Sequence, residues 1–102
     1  MAERKIVWTK TAAIQMQSIL EYWYNRNKSS NYSEKIVKIT EKHLTFISKH
    51  PESFRKTEFK KTRVSVMGYF SIFYQFDEKR IIVTAFWDNR QDSKKLIKLL
   101  ER

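Results

Sequence analysis

The residues with most to offer chemically are cationic: Arg55, Lys56, Lys60, Lys61 and Arg63 crowd one short stretch, and Arg90 follows a long apolar run. Guanidinium and ammonium groups that converge on a cleft bind backbone phosphate and stabilise the charge that develops when a ribose 2′-OH attacks it. Convergence requires the segments carrying Arg63 and Arg90 to be neighbours or to share a face. Without it, the same residues form a solvated basic rim. Tyr69, Tyr74, Phe86 and Trp87 carry rings on which a nucleic-acid base could stack, although Tyr74 and Phe76 alternate with Ile72 as core residues do.

Other chemistries lack their residues. His43 falls on a helical apolar stripe and His50 precedes Pro51, neither within a carboxylate pattern, so no metal site is expected. No cofactor is expected either. A single glycine cannot build a phosphate-cradling loop, no Ser-His-Asp arrangement stands out, and the absence of cysteine removes disulfides and thiolate nucleophiles. Cysteine-free composition also fits a reducing cytoplasm.

The chain has 102 residues, 41% hydrophobic and 15% aromatic, with one Gly and one Pro. That suffices for one core, and a single domain over residues 1–102 is expected. Twenty-one Lys and Arg against 11 Asp and Glu leave a net charge of +10, so the partner should be acidic: RNA, DNA, an anionic surface or an acidic protein. The charged start, Met1 to Lys5, is unlike a signal peptide, and no segment approaches the roughly 20 apolar residues of a membrane helix. No membrane partner is expected.

These residues need elements to position them. Lys5 to Trp8 is rich in β-formers, and Thr9 is a candidate helix N-cap. Ala12, Met16, Ile19, Leu20 and Trp23 then keep a helical period. Asn31 with Glu34 predicts a reciprocal cap for a second helix, which carries Tyr32, Ile36, Ile39, His43, Phe46 and Ile47 until Pro51 stops it. Glu52 to Lys61 reads as a surface loop. Arg63–Met67 and Phe70–Phe76 alternate around Gly68-Tyr69, as a hairpin does, while Ile81–Trp87 is apolar throughout and predicts a central strand buried on both faces. Leu96, Ile97, Leu99 and Leu100 make a last amphipathic helix over residues 93–102, with Asp92 its candidate cap. The order is β-α-α-β-β-β-α: an α+β fold whose antiparallel sheet is packed by an N-terminal helical hairpin, with a C-terminal helix.

Two segments, Met67-Gly68-Tyr69-Phe70-Ser71-Ile72-Phe73-Tyr74-Gln75-Phe76 and Val83-Thr84-Ala85-Phe86-Trp87-Asp88-Asn89-Arg90-Gln91-Asp92, resemble the RelE/ParE toxin superfamily. Trp23-Tyr24 at the first helix end and His50-Pro51-Glu52 before the sheet extend the resemblance over nearly the whole chain. It implies a cytoplasmic toxin of a bacterial type II toxin-antitoxin pair, held in a hetero-oligomer by a cognate antitoxin encoded beside it. RelE-like members cut mRNA on the ribosome, whereas ParE-like members poison DNA gyrase without nuclease chemistry, and the fold does not choose between them.

By this resemblance Arg90 matches the arginine that RelE-like nucleases place near the scissile phosphate, and Arg63 and Lys61 are its candidate catalytic companions. Ser71, however, stands where those nucleases carry a second arginine, and Leu96 stands in the region of their C-terminal tyrosine. No side chain is an evident general base. The Phe86 to Asp92 pattern and the intact last helix look closer to ParE. Arg55, Lys56, Lys60, Lys61, Arg63, Trp87 and Arg90 are then contact residues for gyrase. The alternatives are the ribosome-dependent endoribonuclease, with ribosome and mRNA as partners, and a basic nucleic-acid-binding module that is no toxin.

Overall fold

The computed structural model describes residues 4–100. Its elements are β1 (Lys5–Trp8), α1 (Lys10–Asn27), α2 (Asn31–Lys49), a 3-10 turn (Pro51–Ser53), β2 (Arg55–Lys56), β3 (Arg63–Met67), β4 (Phe70–Phe76), β5 (Arg80–Asp88) and α3 (Ser93–Leu100). This is the expected α+β order with one short strand added. The expected helix over 93–102 is seen to Leu100. Residues 1–3 and 101–102, and the side chains of Ser93 and Leu99, lie outside the described residues.

The helices begin and end for local reasons. Thr9 caps α1: its hydroxyl accepts the Ala12 N–H at 3.1 Å from an extended backbone. Pro51 stops α2, and His50 leaves the helix at φ −135° while its N–H donates to the Phe46 carbonyl at 2.9 Å. The expected Asn31/Glu34 cap does not form. Asn31 is already helical, Ser30 occupies the cap position, the Ser29 hydroxyl accepts the Asn31 N–H at 3.2 Å, and the Glu34 N–H donates to the Ser30 carbonyl. Asp92 does cap α3, accepting the Lys94 N–H at 3.0 Å.

The five strands lie in the order β1-β5-β4-β3-β2, with β1 parallel to β5 and the other pairs antiparallel. Gly68, at φ +68°, opens the turn from β3 to β4, where any other residue would be strained. The segment expected as a loop contains β2, because Arg55 pairs with Val64 and Lys56 with Arg63. Both β2 residues are exposed and basic, so no alternation announces the pairing. Thr57 closes the return, its N–H and hydroxyl both donating to the Thr62 carbonyl.

β5 is interior, between β1 and β4, while β4 holds the centre. Its uninterrupted apolar run has a specific cause. Phe73 pairs with Ala85 but Tyr74 pairs with Val83, so Thr84 is an extra residue, a β-bulge. Before it, Ile81 and Val83 face the helical hairpin; after it Phe86 takes that face, and Ala85 and Trp87 face α3. The phase reverses within one strand. The Thr84 hydroxyl donates to the Phe73 carbonyl at 3.2 Å across the irregularity.

The larger core lies between hairpin and sheet, where Ile19, Ile36, Leu44 and Ile47 meet Ile72, Tyr74, Ile81, Val83 and Phe86. A smaller one under α3 joins Leu96 to Val64, Phe73, Ala85 and Trp87, with Leu100 at its edge. Tyr74 ties the sheet centre to the end of α2: its buried hydroxyl donates to the Pro51 carbonyl at 2.6 Å. Burial pushes its pKa up to about 12, against a smaller opposing pull from Arg63.

Tyr74→Phe should cost about 1–2 kcal/mol at neutral pH by leaving a buried carbonyl without its donor, read from urea unfolding. Because the folded pKa exceeds the unfolded value near 10, the stability linked to Tyr74 is complete below about pH 10 and lost as pH rises towards 12. Wild type should therefore lose stability over that window more steeply than Tyr74→Phe; parallel curves would contradict the assignment. Deleting Thr84 should send Phe86 and Trp87 to the wrong faces and abolish cooperative melting by circular dichroism. A deletion variant that melts cooperatively would show that the bulge does not set the phase.

Candidate functional site

Arg90 is placed by a turn that its own neighbours build. Asp88 ends β5 opposite Phe70, and its Oδ1 accepts the Arg90 N–H at 3.0 Å, a self-closing turn that Asp favours. The Arg90 side chain then returns to the same carboxylate, Nε to Oδ1 at 2.9 Å and Nη2 to Oδ2 at 2.8 Å. Asn89 fastens this turn to the neighbouring hairpin, its N–H donating to the Tyr69 carbonyl at 2.7 Å and its Oδ1 accepting the Ser71 hydroxyl at 2.7 Å.

Three rings enclose the guanidinium, with centroids at 4.4 Å for Tyr69, 4.9 Å for Trp23 and 5.7 Å for Phe70. Tyr69 comes from the β3–β4 turn, Phe70 opens β4, and Trp23 comes from the last turns of α1. Trp23 is itself wedged edge-on between Tyr22 and Tyr32. Burial works to raise the Asp88 carboxyl, but the hydrogen bonds and charge of Arg90 together outweigh it and hold it below the usual carboxylate range. The same hydrogen bonds raise Arg90 further.

The other basic residues expected at the site do not join it. Arg63 pairs with Tyr74 and Asp88 pairs with Phe70, so the two arginines lie towards opposite ends of β4, roughly 13 Å apart along the strand at about 3.3 Å per residue. β4 also separates β3 from β5, so the expected convergence does not occur. Arg63 is engaged elsewhere: its Nη1 donates to the Phe54 and Glu52 carbonyls at 2.8 and 3.1 Å, and its guanidinium lies over Phe76. Arg55 and Lys56 are exposed on the β2 edge. Lys60 and Lys61 are exposed in the turn before β3, where Lys61 takes the left-handed conformation at φ 56°.

Of the rings considered for stacking, Tyr69 is 59% exposed, while Tyr74, Phe86 and Trp87 are buried. Trp87, expected as a contact residue, packs with Phe73 and Leu96 under α3 because the bulge turns it that way. Ser71 and Leu96 are buried too. His43 contacts the buried Ser65 hydroxyl at 3.1 Å. Among the described residues no group of His, Asp and Glu could hold a metal ion.

Beside the Arg90 cluster runs an open groove of about 680 Å³ between α1 and the end of β5. Its walls are mainly apolar, from Ile14, Ile19, Tyr22 and Trp23 on one side to Phe86 and Trp87 on the other, and Arg26 and Arg90 stand at one end. Gln15 crosses it, its Oε1 accepting the Phe86 N–H at 2.9 Å where β5 has outrun β1. Sequence reasoning missed Asp88, Trp23 and this groove. Two signals were available: an acid two residues before an arginine, and Ile14 and Tyr22 lying off the buried stripe of α1.

The chain matches the family model described as the ParE toxin of type II toxin-antitoxin system, parDE, over residues 6–93. No curated protein matches it. A solved structure described as the chromosomal ParDE TA system from P. aeruginosa is similar in fold, with a TM-score of 0.68 at 17% identity, covering 82% of this chain and 94% of that one. Among the described residues no helix is long and apolar enough to cross a membrane. The strand-bulge-turn that presents Arg90, the helical hairpin above it and the family match together lead to one statement: the chain belongs to the ParE toxin family of type II toxin-antitoxin systems.

Proposed function

We propose that this toxin arrests growth by binding DNA gyrase in the cytoplasm, without nuclease chemistry, and that a cognate antitoxin neutralises it. The observation that carries the reading is the state of Arg90. Its fork is already closed on Asp88, so the pair has no net charge to set against a developing phosphate anion. Of the basic residues expected to add charge, Arg63 stands towards the other end of β4, where it holds backbone carbonyls, and Arg55, Lys56, Lys60 and Lys61 lie on that β2–β3 side with it. Among the described residues, Asp88 is the one carboxylate held to the cluster and no histidine touches it, which supports contact over acid-base chemistry.

A guanidinium stacked among Trp and Tyr rings, with Tyr69 and Tyr22 open to solvent, has the composition of a protein-binding hot spot. Arg90, Tyr69 and Asp88 are the contact set under this reading. The remaining basic residues, Arg55, Lys56, Lys60 and Lys61, contribute a long-range field that speeds encounter with an acidic partner.

Induced expression should stop colony formation and raise a DNA-damage reporter while total RNA acquires no new 5′ ends. Codon-phased ends would instead make the chain a ribosome-dependent ribonuclease. Arg90→Ala should abolish arrest while the protein still melts cooperatively, with gyrase affinity reduced about thirtyfold, the loss of a hot-spot contact of about 2 kcal/mol. Undiminished arrest by a folded Arg90→Ala would refute the assignment of this site.

A further inference from the structure

The outer face of α2 carries more than the fold uses. With successive residues about 100° apart and rising about 1.5 Å, Lys35, Lys38, Ile39, Lys42, Phe46 and Lys49 share an arc of about 100° that runs roughly 21 Å along the helix. All six are exposed, and the two glutamates of α2, Glu34 and Glu41, fall outside the arc. Ile39 and Phe46 have the spacing of core residues, yet they are 36% and 49% exposed, because α2 buries Ile36, Thr40, Leu44 and Ile47 instead. Lys35, Lys38 and Lys42 make no ion pair among the described residues. Two rings fix the orientation of Phe46: His50, tilted with centroids 4.9 Å apart, and Phe54, edge-on at 5.7 Å. Lys56, exposed on the strand that follows Phe54, extends the basic surface. Lysines alone would read as a solvated face; a ring held in place among them gives a base a surface to stack on.

We propose that this face binds single-stranded nucleic acid, with phosphates along Lys35, Lys38 and Lys42 and a base stacked on Phe46. Three features select that occupant. The arc is a line of cations without an acid, on a chain that carries +10, and its complement is a polyanion. The exposed ring takes the face of a base, which a duplex keeps inside its own stack. An anionic membrane surface would need a continuous apolar stripe to bury, and here lysines interrupt Ile39 and Phe46 at every turn. The face belongs to α2, whereas the Arg90 cluster draws its helical residue, Trp23, from α1. Binding on α2 is thus an activity beside the proposed gyrase contact and stands whether or not that contact does.

The test measures binding of a fluorescent oligothymidylate to the full chain by anisotropy over a range of salt concentrations. Lys38→Ala with Lys42→Ala should flatten the plot of log affinity against log salt by about 1.4, at roughly 0.7 per phosphate contact on a single strand. Lys94→Ala with Lys95→Ala removes the same charge from α3 and should leave the slope as in wild type. All four lysines are exposed, so both double variants should melt as wild type does. Phe46→Ala should weaken binding about tenfold without altering the slope, while Phe46→Tyr, which keeps the ring, should bind as wild type does. An unchanged slope in the α2 variant would overturn the proposal. So would an equal change in both double variants, since net charge and not this face would then carry the binding. Undiminished affinity in Phe46→Ala, or equal affinity for the same strand in a duplex, would remove the single-strand assignment. Tighter, Phe46-dependent binding to anionic phospholipid vesicles would overturn it as well, making the face a membrane contact.

Discussion

Much of this molecule depends on one residue too many in one strand. A β-strand shows alternate faces to alternate layers, and β5 must serve two layers unequally: a deep core under the helical hairpin and a shallow one under α3. The bulge at Thr84 lets Ile81, Val83 and Phe86 reach the first core while Ala85 and Trp87 reach the second. Its consequence extends past the strand. Because the phase has reversed, Asp88 emerges on the hairpin side, and so Arg90 meets Trp23 of α1 and not α3. The site is a product of the register.

At that site geometry outweighs charge. The Asp88–Arg90 pair joins a nearly buried carboxylate to a guanidinium that stays 40% exposed, and solvent screening on that side limits what the pair contributes by itself. Here the guanidinium is additionally held between rings, each such contact adding about 0.5–2 kcal/mol according to how far water is excluded. The combination yields a cation whose position is set by three elements, α1, the β3–β4 turn and the end of β5, none of which encloses it completely. A side chain so placed is better suited to contact than to chemistry. Its charge is already matched by Asp88, so the pair offers hydrogen-bond donors but no net charge to a second anion.

Arg63 shows the opposite fate for the same residue type. Its donors bind the carbonyls of Glu52 and Phe54, and with the Tyr74 hydroxyl on the Pro51 carbonyl they hold the connection from α2 against the sheet. Backbone groups in an irregular segment must find partners, and here side chains from β3 and β4 supply them. A cationic residue that reads as a phosphate ligand is thus a structural clamp. Residue type could not distinguish these roles, because a guanidinium donates to a carbonyl and to a phosphate alike.

What the sequence determined by itself is whatever depends on near neighbours. The Thr9 cap, the stop at Pro51, the turn at Gly68, the Asp92 cap and the apolar periods of α1 and β4 each involve residues within a few positions, and each is seen, whereas the stripe expected on α2 is displaced: Thr40 and Leu44 are buried, and Ile39 and Phe46 are exposed. Its order of elements, with the two motifs around Tyr69 and Arg90, was enough for the family. Tertiary structure alone decided the rest. The parallel pairing of β1 with β5 joins residues more than 70 positions apart, β2 is defined only by its partner, and the bulge exists only relative to β4. The separation of Arg63 from Arg90, the burial of Trp87 and the groove over Ile14 and Tyr22 follow from those pairings. A local pattern records which face a residue can bury; which partner it meets there is set by contacts between distant segments, and these leave no period in the chain.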